Sequence, residues 1–157
     1  MISIVIYPLL KHYSDSIAKA YIAMRVGEAV IQLIGVVALL SLLPLAKEFV
    51  TSDANHDLLF VIAKQLTQAN LYAYHIAMVV LGVGSLPFCY LLYRHHLIPK
   101  LLASLGFLGY LILATSSSLY LLGQDLGLVV TLPVFVFEVS IGFWLLFKGF
   151  NSNALSN

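Results

Sequence analysis

The sequence predicts an all-α, polytopic membrane protein with four transmembrane helices and an amphipathic helix in the first outer loop. Three observations carry that reading. Of 157 residues 61% are hydrophobic and only 10% charged, with mean hydropathy +0.99, against about 25% charged in an average soluble domain. Four apolar runs each approach the roughly 20 residues that a helix needs to cross a bilayer. The connections after the second and third runs are short and polar, which makes neighbouring helices antiparallel.

Taken in order, the start M-I-S-I-V-I-Y-P-L-L-K-H-Y has no basic leader region and no small-residue cleavage site, so it is not a signal peptide. Ten residues reach about 15 Å as a helix, half a bilayer. The segment is expected to lie in the interface or to be the tail of a spanning helix. The first span is expected over 17–43, entered through the polar stretch 12–16 and stopped by Pro44. The loop that follows opens with T-S-D-A-N-H-D, rich in helix caps. Leu58, Leu59, Ile62 and Leu66 then recur at helical spacing with Lys64, Gln65 and Gln68 opposite. This predicts an amphipathic helix over 56–70 that rests on the bundle or membrane surface and runs on into the second span, 71–93. The third span is expected over 101–122 and the fourth over 128–147, followed by a polar tail, 151–157.

Gly82 and Gly84 in the second span, and Gly106 and Gly109 in the third, allow helix backbones to approach closely. Thr115, Ser116, Ser117 and Ser118 can bond their own helix or a neighbour. Pro87 and Pro133 are candidates to kink their helices. Alternating spans put Lys11, Lys19, Arg94, Lys100 and Lys148 on one side and Lys47 and Lys64 on the other. Under the positive-inside rule both termini are expected in the cytoplasm.

The chemistry is concentrated in a few intramembrane polar residues. In Y-I-A-M-R-V-G-E-A-V-I-Q-L-I-G, residues 21–35, steps of three and four place Tyr21, Arg25, Glu28, Gln32 and Gly35 on one stripe. Glu138 lies near the middle of the fourth span. A charge at that depth costs about 2.5–3.5 kcal/mol on insertion scales unless it faces protein or water. Arg25, whose planar fork can bridge two carboxylates, is the expected partner of both Glu28 and Glu138. One carboxylate is then in excess, to be protonated or completed by a cation, polar ligand or water. Two readings stand side by side: an ion-paired triad that fixes helix register, or a binding or proton-linked site.

His75, just inside the outer end of the second span, is a secondary polar candidate and is expected to be a hydrogen-bonded interfacial residue. His12, His56, His95 and His96 fall in loops or at helix ends, a placement that does not fit a bis-histidine haem. Tyr90, Tyr93, Tyr110, Tyr120, Trp144 and Phe150 are read as interfacial belts. The single cysteine, Cys89, sits in an apolar run as a buried thiol. The sequence has no nucleophile elbow, zincin motif, phosphate loop or CxxC pair, so no catalytic residue, metal site or cofactor is implied. A net charge of +1 without a Lys/Arg-rich tract excludes nucleic acid as a partner.

The motifs Y-P-L-L-K at 7–11, A-Y-I-A-M-R-V-G-E-A at 20–29, L-L-Y-R-H-H-L-I-P-K-L-L-A-S-L-G at 91–106 and E-V-S-I-G-F-W-L-L-F-K-G-F at 138–150 resemble a family of bacterial multi-pass proteins, domain-of-unknown-function family four-three-eight-six. Arg25, Glu28, Glu138, Trp144, Lys148 and Gly149 fall on positions that recur in that family. The resemblance implies a bacterial inner-membrane location and an N-terminus shorter than usual, without the family's earlier helices, and it brings no activity. The expected function is a non-enzymatic subunit or scaffold, associated with itself or with another membrane protein in the lipid bilayer. The alternative is binding or transport of a small polar, lipidic or protonatable ligand at the Arg/Glu cluster.

Overall fold

A computed structural model describes residues 2–51 and 56–150. The tail 151–157 and most of the cap-rich stretch before His56 lie outside the described residues. The elements are α1 (Ile2–Tyr13), α2 (Asp15–Leu40), α3 (Leu42–Thr51), α4 (His56–Arg94), α5 (Lys100–Leu121), a 3-10 turn (Leu128–Thr131) and α6 (Leu132–Phe147). Among the described residues, four helical stretches are long and apolar enough to cross a membrane: Asp15–Thr51, His56–Arg94, Lys100–Leu121 and Val129–Phe147.

Helix α2 begins where the polar stretch supplies a cap, the Ser14 side chain accepting from the Ile17 amide at 3.4 Å. Pro44 does not stop the first apolar run. The chain breaks for one residue at Ser41 and resumes as α3, with Pro44 in its first turn. A proline there gives up no hydrogen bond, because first-turn amides lack an intrahelical partner. The ring is excluded from the preceding turn, so the break falls upstream, where the Ser41 amide and hydroxyl both donate to the Val37 carbonyl, at 3.1 and 2.9 Å. Pro133 likewise sits at the start of α6 rather than kinking it. Pro87 lies within α4.

The amphipathic stretch expected over 56–70 is the first part of α4, which continues without a break through the second span. Its 39 residues are about twice what a hydrocarbon core of about 30 Å requires. Helix α3 packs beside it, with Phe49 edge-on to His56 at 4.4 Å. The N-terminal segment forms α1, which buries Ile6 and Leu10 against the bundle; Tyr13 lies over His95 at 4.2 Å.

The spans pack in chain order, α2 on α4, α4 on α5 and α5 on α6. Among the described residues no Cα–Cα approach within 8 Å joins α2 to α5 or α6. The spans therefore form an array in the order α2–α4–α5–α6, with α4 and α5 as its inner spans and α2 and α6 as its outer ones. Glycine makes the contacts close. A Cβ on Gly82 would lie 2.8 Å from the Tyr110 carbonyl oxygen, and one on Gly106 would lie 2.5 Å from the Phe137 ring. Gly84 faces Met24 of α2, and Gly109 faces the backbone of Val134. All four expected glycines thus mark helix crossings. Thr115, Ser116 and Ser118 donate to carbonyls of their own helix at 2.8–3.1 Å.

Candidate functional site

Arg25 and Glu28, one turn apart on α2, form an ion pair at 2.8 Å. The arginine side chain remains 31% exposed and the glutamate 12%. Above them on the same stripe, Gln32 lines a cavity of about 310 Å³ with Val36, Asn70, Leu71 and Tyr74. Below them, Tyr21 is buried and stacks on Phe88 of α4 at 4.8 Å, which ties the stripe to that inner span.

Glu138 is not bridged by Arg25. Among the described residues no salt bridge within 4.0 Å joins them, and the helices that carry them have no Cα–Cα approach within 8 Å. Its partner is Tyr110, in the middle of α5, whose hydroxyl donates to Oε1 at 3.0 Å. Chain-order packing explains the outcome, because α5 and α6 are joined by a short connection and α2 lies beyond α4. Nor is Glu138 buried; the residue is exposed on the surface of α6. It still lies within electrostatic range of Glu28 and Tyr21, across the seam between the outer spans α2 and α6. The expected single buried cluster is in fact two local pairs, Arg25–Glu28 and Tyr110–Glu138, on either side of that seam.

Tyr110 is the partner of Glu138 that sequence reasoning missed. Read as part of an interfacial belt, it is instead buried at mid-span, edge-on to Phe137 at 5.8 Å. The signal was its depth, since a tyrosine buried at mid-span needs a hydrogen-bond partner and the nearest intramembrane carboxylate in sequence is Glu138. Ser85 of α4 was missed as well. It is fully buried between core residues, and among the described residues its Oγ has no hydrogen-bond partner. His75 lies flat on Tyr120 of α5, ring centroids 3.7 Å apart, with Nδ1 buried and without a hydrogen-bond partner among the described residues. It is held by stacking rather than by the expected hydrogen bond. Cys89 is fully buried, as expected.

The model of the family described as domain of unknown function (DUF4386) matches residues 1–149. The chain belongs to this family. No curated protein and no solved structure matches it. DUF4386 carries no activity to transfer, so a functional reading of this member rests on its own geometry. That geometry places two carboxylates and one guanidinium around a seam between outer spans of an integral membrane protein.

Proposed function

We propose that this DUF4386 protein is a non-enzymatic subunit of a membrane assembly, and that its seam between α2 and α6 receives a transmembrane helix of another membrane protein. The observation that carries this reading is Glu138, an exposed carboxylate at the middle of an outer span whose described partner is one tyrosine hydroxyl. Such a group in hydrocarbon needs protein or water against it. Arg25, a third exposed across the seam, is already paired with Glu28. The seam therefore holds two acids against one base, and a basic or hydrogen-bond-donating side chain from a partner helix complements it. A second copy would bring the same excess of acid, which favours a different protein. With five basic residues toward one end against two toward the other, the chain is oriented with both termini in the cytoplasm of a bacterial inner membrane.

A photo-crosslinking side chain at Gln32, on the Arg25–Glu28 stripe of α2, should capture one membrane protein of defined mass. The same probe at Leu146, 81% exposed on α6, should capture only lipid. Glu138→Gln should weaken the Gln32 cross-link about tenfold. Equal capture at both positions, or capture unaffected by Glu138→Gln, would refute the reading; a cross-linked homodimer would replace the partner with a second copy.

A second reading is favoured by Glu138 itself, whose carboxylate has acceptor capacity left over. In it the seam binds a small polar, lipidic or protonatable ligand at Arg25, Glu28 and Glu138. A bound small mass that survives into native mass spectra, lost in Glu138→Gln and without a protein partner, would establish this instead.

A further inference from the structure

The sequence motifs R-H-H-L-I-P-K and W-L-L-F-K-G-F meet at one end of the bundle, away from the seam residues. Helix α4 ends there in a left-handed turn. The Leu97 amide reaches back to the Leu92 carbonyl at 3.2 Å, and His96 takes φ +53°. That turn drives Leu97 and Ile98 into the core, where they are buried. Pro99 then starts α5 with Lys100 as its first residue and offers no side-chain cap. Opposite, α6 ends at Phe147, and Gly149 at φ +66° folds Phe150 back against the core. The result is a cavity of about 530 Å³ between the start of α5 and the end of α6, lined by His96, Lys100, Trp144, Lys148 and Phe150 over Leu97 and Ile98.

Two ammonium groups rim an apolar floor, and among the described residues no carboxylate lines the cavity. Lys148 Nζ is held 4.9 Å from the centre of the Trp144 ring, so one cation is fixed over the hollow before any ligand arrives. The uncapped first turn of α5 adds amide donors and partial positive charge to the same rim. Cations above, apolar carbon below and a position where both spans leave the bilayer match an amphiphile with an anionic head. The volume falls within the roughly 300–1,000 Å³ typical of ligand pockets.

We propose that this cavity is a binding site for a phosphate-bearing anion, with Lys100 and Lys148 gripping the phosphate and Trp144 forming its apolar wall. The phosphate can belong to an anionic phospholipid headgroup or to a free phosphate compound. The apolar floor favours the lipid.

Trp144 is the sole tryptophan of the chain, so its fluorescence reports this cavity alone. The purified protein is placed in phosphatidylcholine nanodiscs containing either brominated phosphatidylglycerol or brominated phosphatidylcholine. A basic residue near the membrane is worth roughly fivefold in anionic-lipid partition, so two should give about a twenty-five-fold preference for quenching by the brominated phosphatidylglycerol. Lys100→Gln/Lys148→Gln should bring that preference close to one with helicity unchanged. Lys100→Gln alone, which keeps the Lys148–Trp144 contact, should lose about fivefold. Lys11→Gln/Arg94→Gln, outside the cavity at the same end, should leave most of it. In a second arm, sodium phosphate and glycerol 3-phosphate are titrated into the protein in zwitterionic detergent. A shift in Trp144 emission that is lost in the cavity variant assigns the site to free phosphate. No shift, with the lipid preference intact, assigns it to the headgroup. Equal quenching by both brominated lipids with no phosphate response overturns the proposal. So does an equal loss in the Lys11→Gln/Arg94→Gln variant, which would mean a diffuse basic ring.

Discussion

Tyr110→Phe removes one oxygen atom and tests how the intramembrane carboxylate is held. The edge-on contact of the Tyr110 ring with Phe137, centroids 5.8 Å apart, survives the change. What is lost is the 3.0 Å hydrogen bond to Glu138. Hydrogen bonds between membrane helices average about 0.6 kcal/mol and reach about 1.7, whereas bonds to a charged group are worth about 1.5–3 in general. Glu138 is exposed on its helix, which argues against the upper end, so the expected cost is about 1–1.7 kcal/mol. The assay is a double-mutant cycle with Glu138→Leu, read by reversible unfolding in mixed micelles through Trp144 emission. In the Glu138→Leu background, Tyr110→Phe should be neutral or stabilising, because the hydroxyl is then buried without a partner. The parallel cycle of Arg25→Leu with Glu138→Leu should couple by less than about 0.5 kcal/mol, since no ion pair joins those residues. A Tyr110→Phe cost that is the same in both backgrounds, or an Arg25–Glu138 coupling larger than the Tyr110–Glu138 one, would refute the assignment.

Gly82→Ala should destabilise by about 1–3 kcal/mol, because the new methyl meets the Tyr110 carbonyl oxygen and the Ala114 Cβ at 2.8 Å. Gly142→Ala, with nothing within 4 Å of its added methyl, should gain up to about 1 kcal/mol in the same unfolding assay. In a Cys89→Ser background, Asp125→Cys should react with an impermeant maleimide from outside intact cells, and His95→Cys only after permeabilisation. The opposite pattern would reverse the proposed orientation.

The spans were legible because hydropathy and length act locally, and the glycines because a missing Cβ has one common use between membrane helices. Pro44 was misread for a physical reason. A proline marks where a helix is strained, yet the first turn accommodates it, so the break moved to Ser41. The pairing of Glu138 was misread because periodicity reveals which residues share a face but not which helices are neighbours. Arg25 had the right charge and a comparable depth for Glu138, and the array order set them on helices that do not pack side by side. Tyr110 escaped notice because tyrosine is so common at interfaces that composition alone sorts it there. Its position, ten residues into α5, was the better guide.

Both intramembrane pairs are local in the chain, and that bears on assembly. Arg25 and Glu28 are three residues apart on one helix. Tyr110 and Glu138 are 28 apart, across a single hairpin. Each charge is therefore partnered by its own helix or its own hairpin and does not wait for distant spans to meet. A charge that enters the bilayer unpaired bears the full insertion penalty of about 2.5–3.5 kcal/mol, and a local partner offsets part of it before the array has formed. The outer spans can then remain apart without leaving either charge bare. Had Arg25 been committed to Glu138, the seam would have closed on itself. Local pairing leaves Glu138 exposed on α6 with acceptor capacity beyond one tyrosine hydroxyl, the feature on which the proposed partner helix depends.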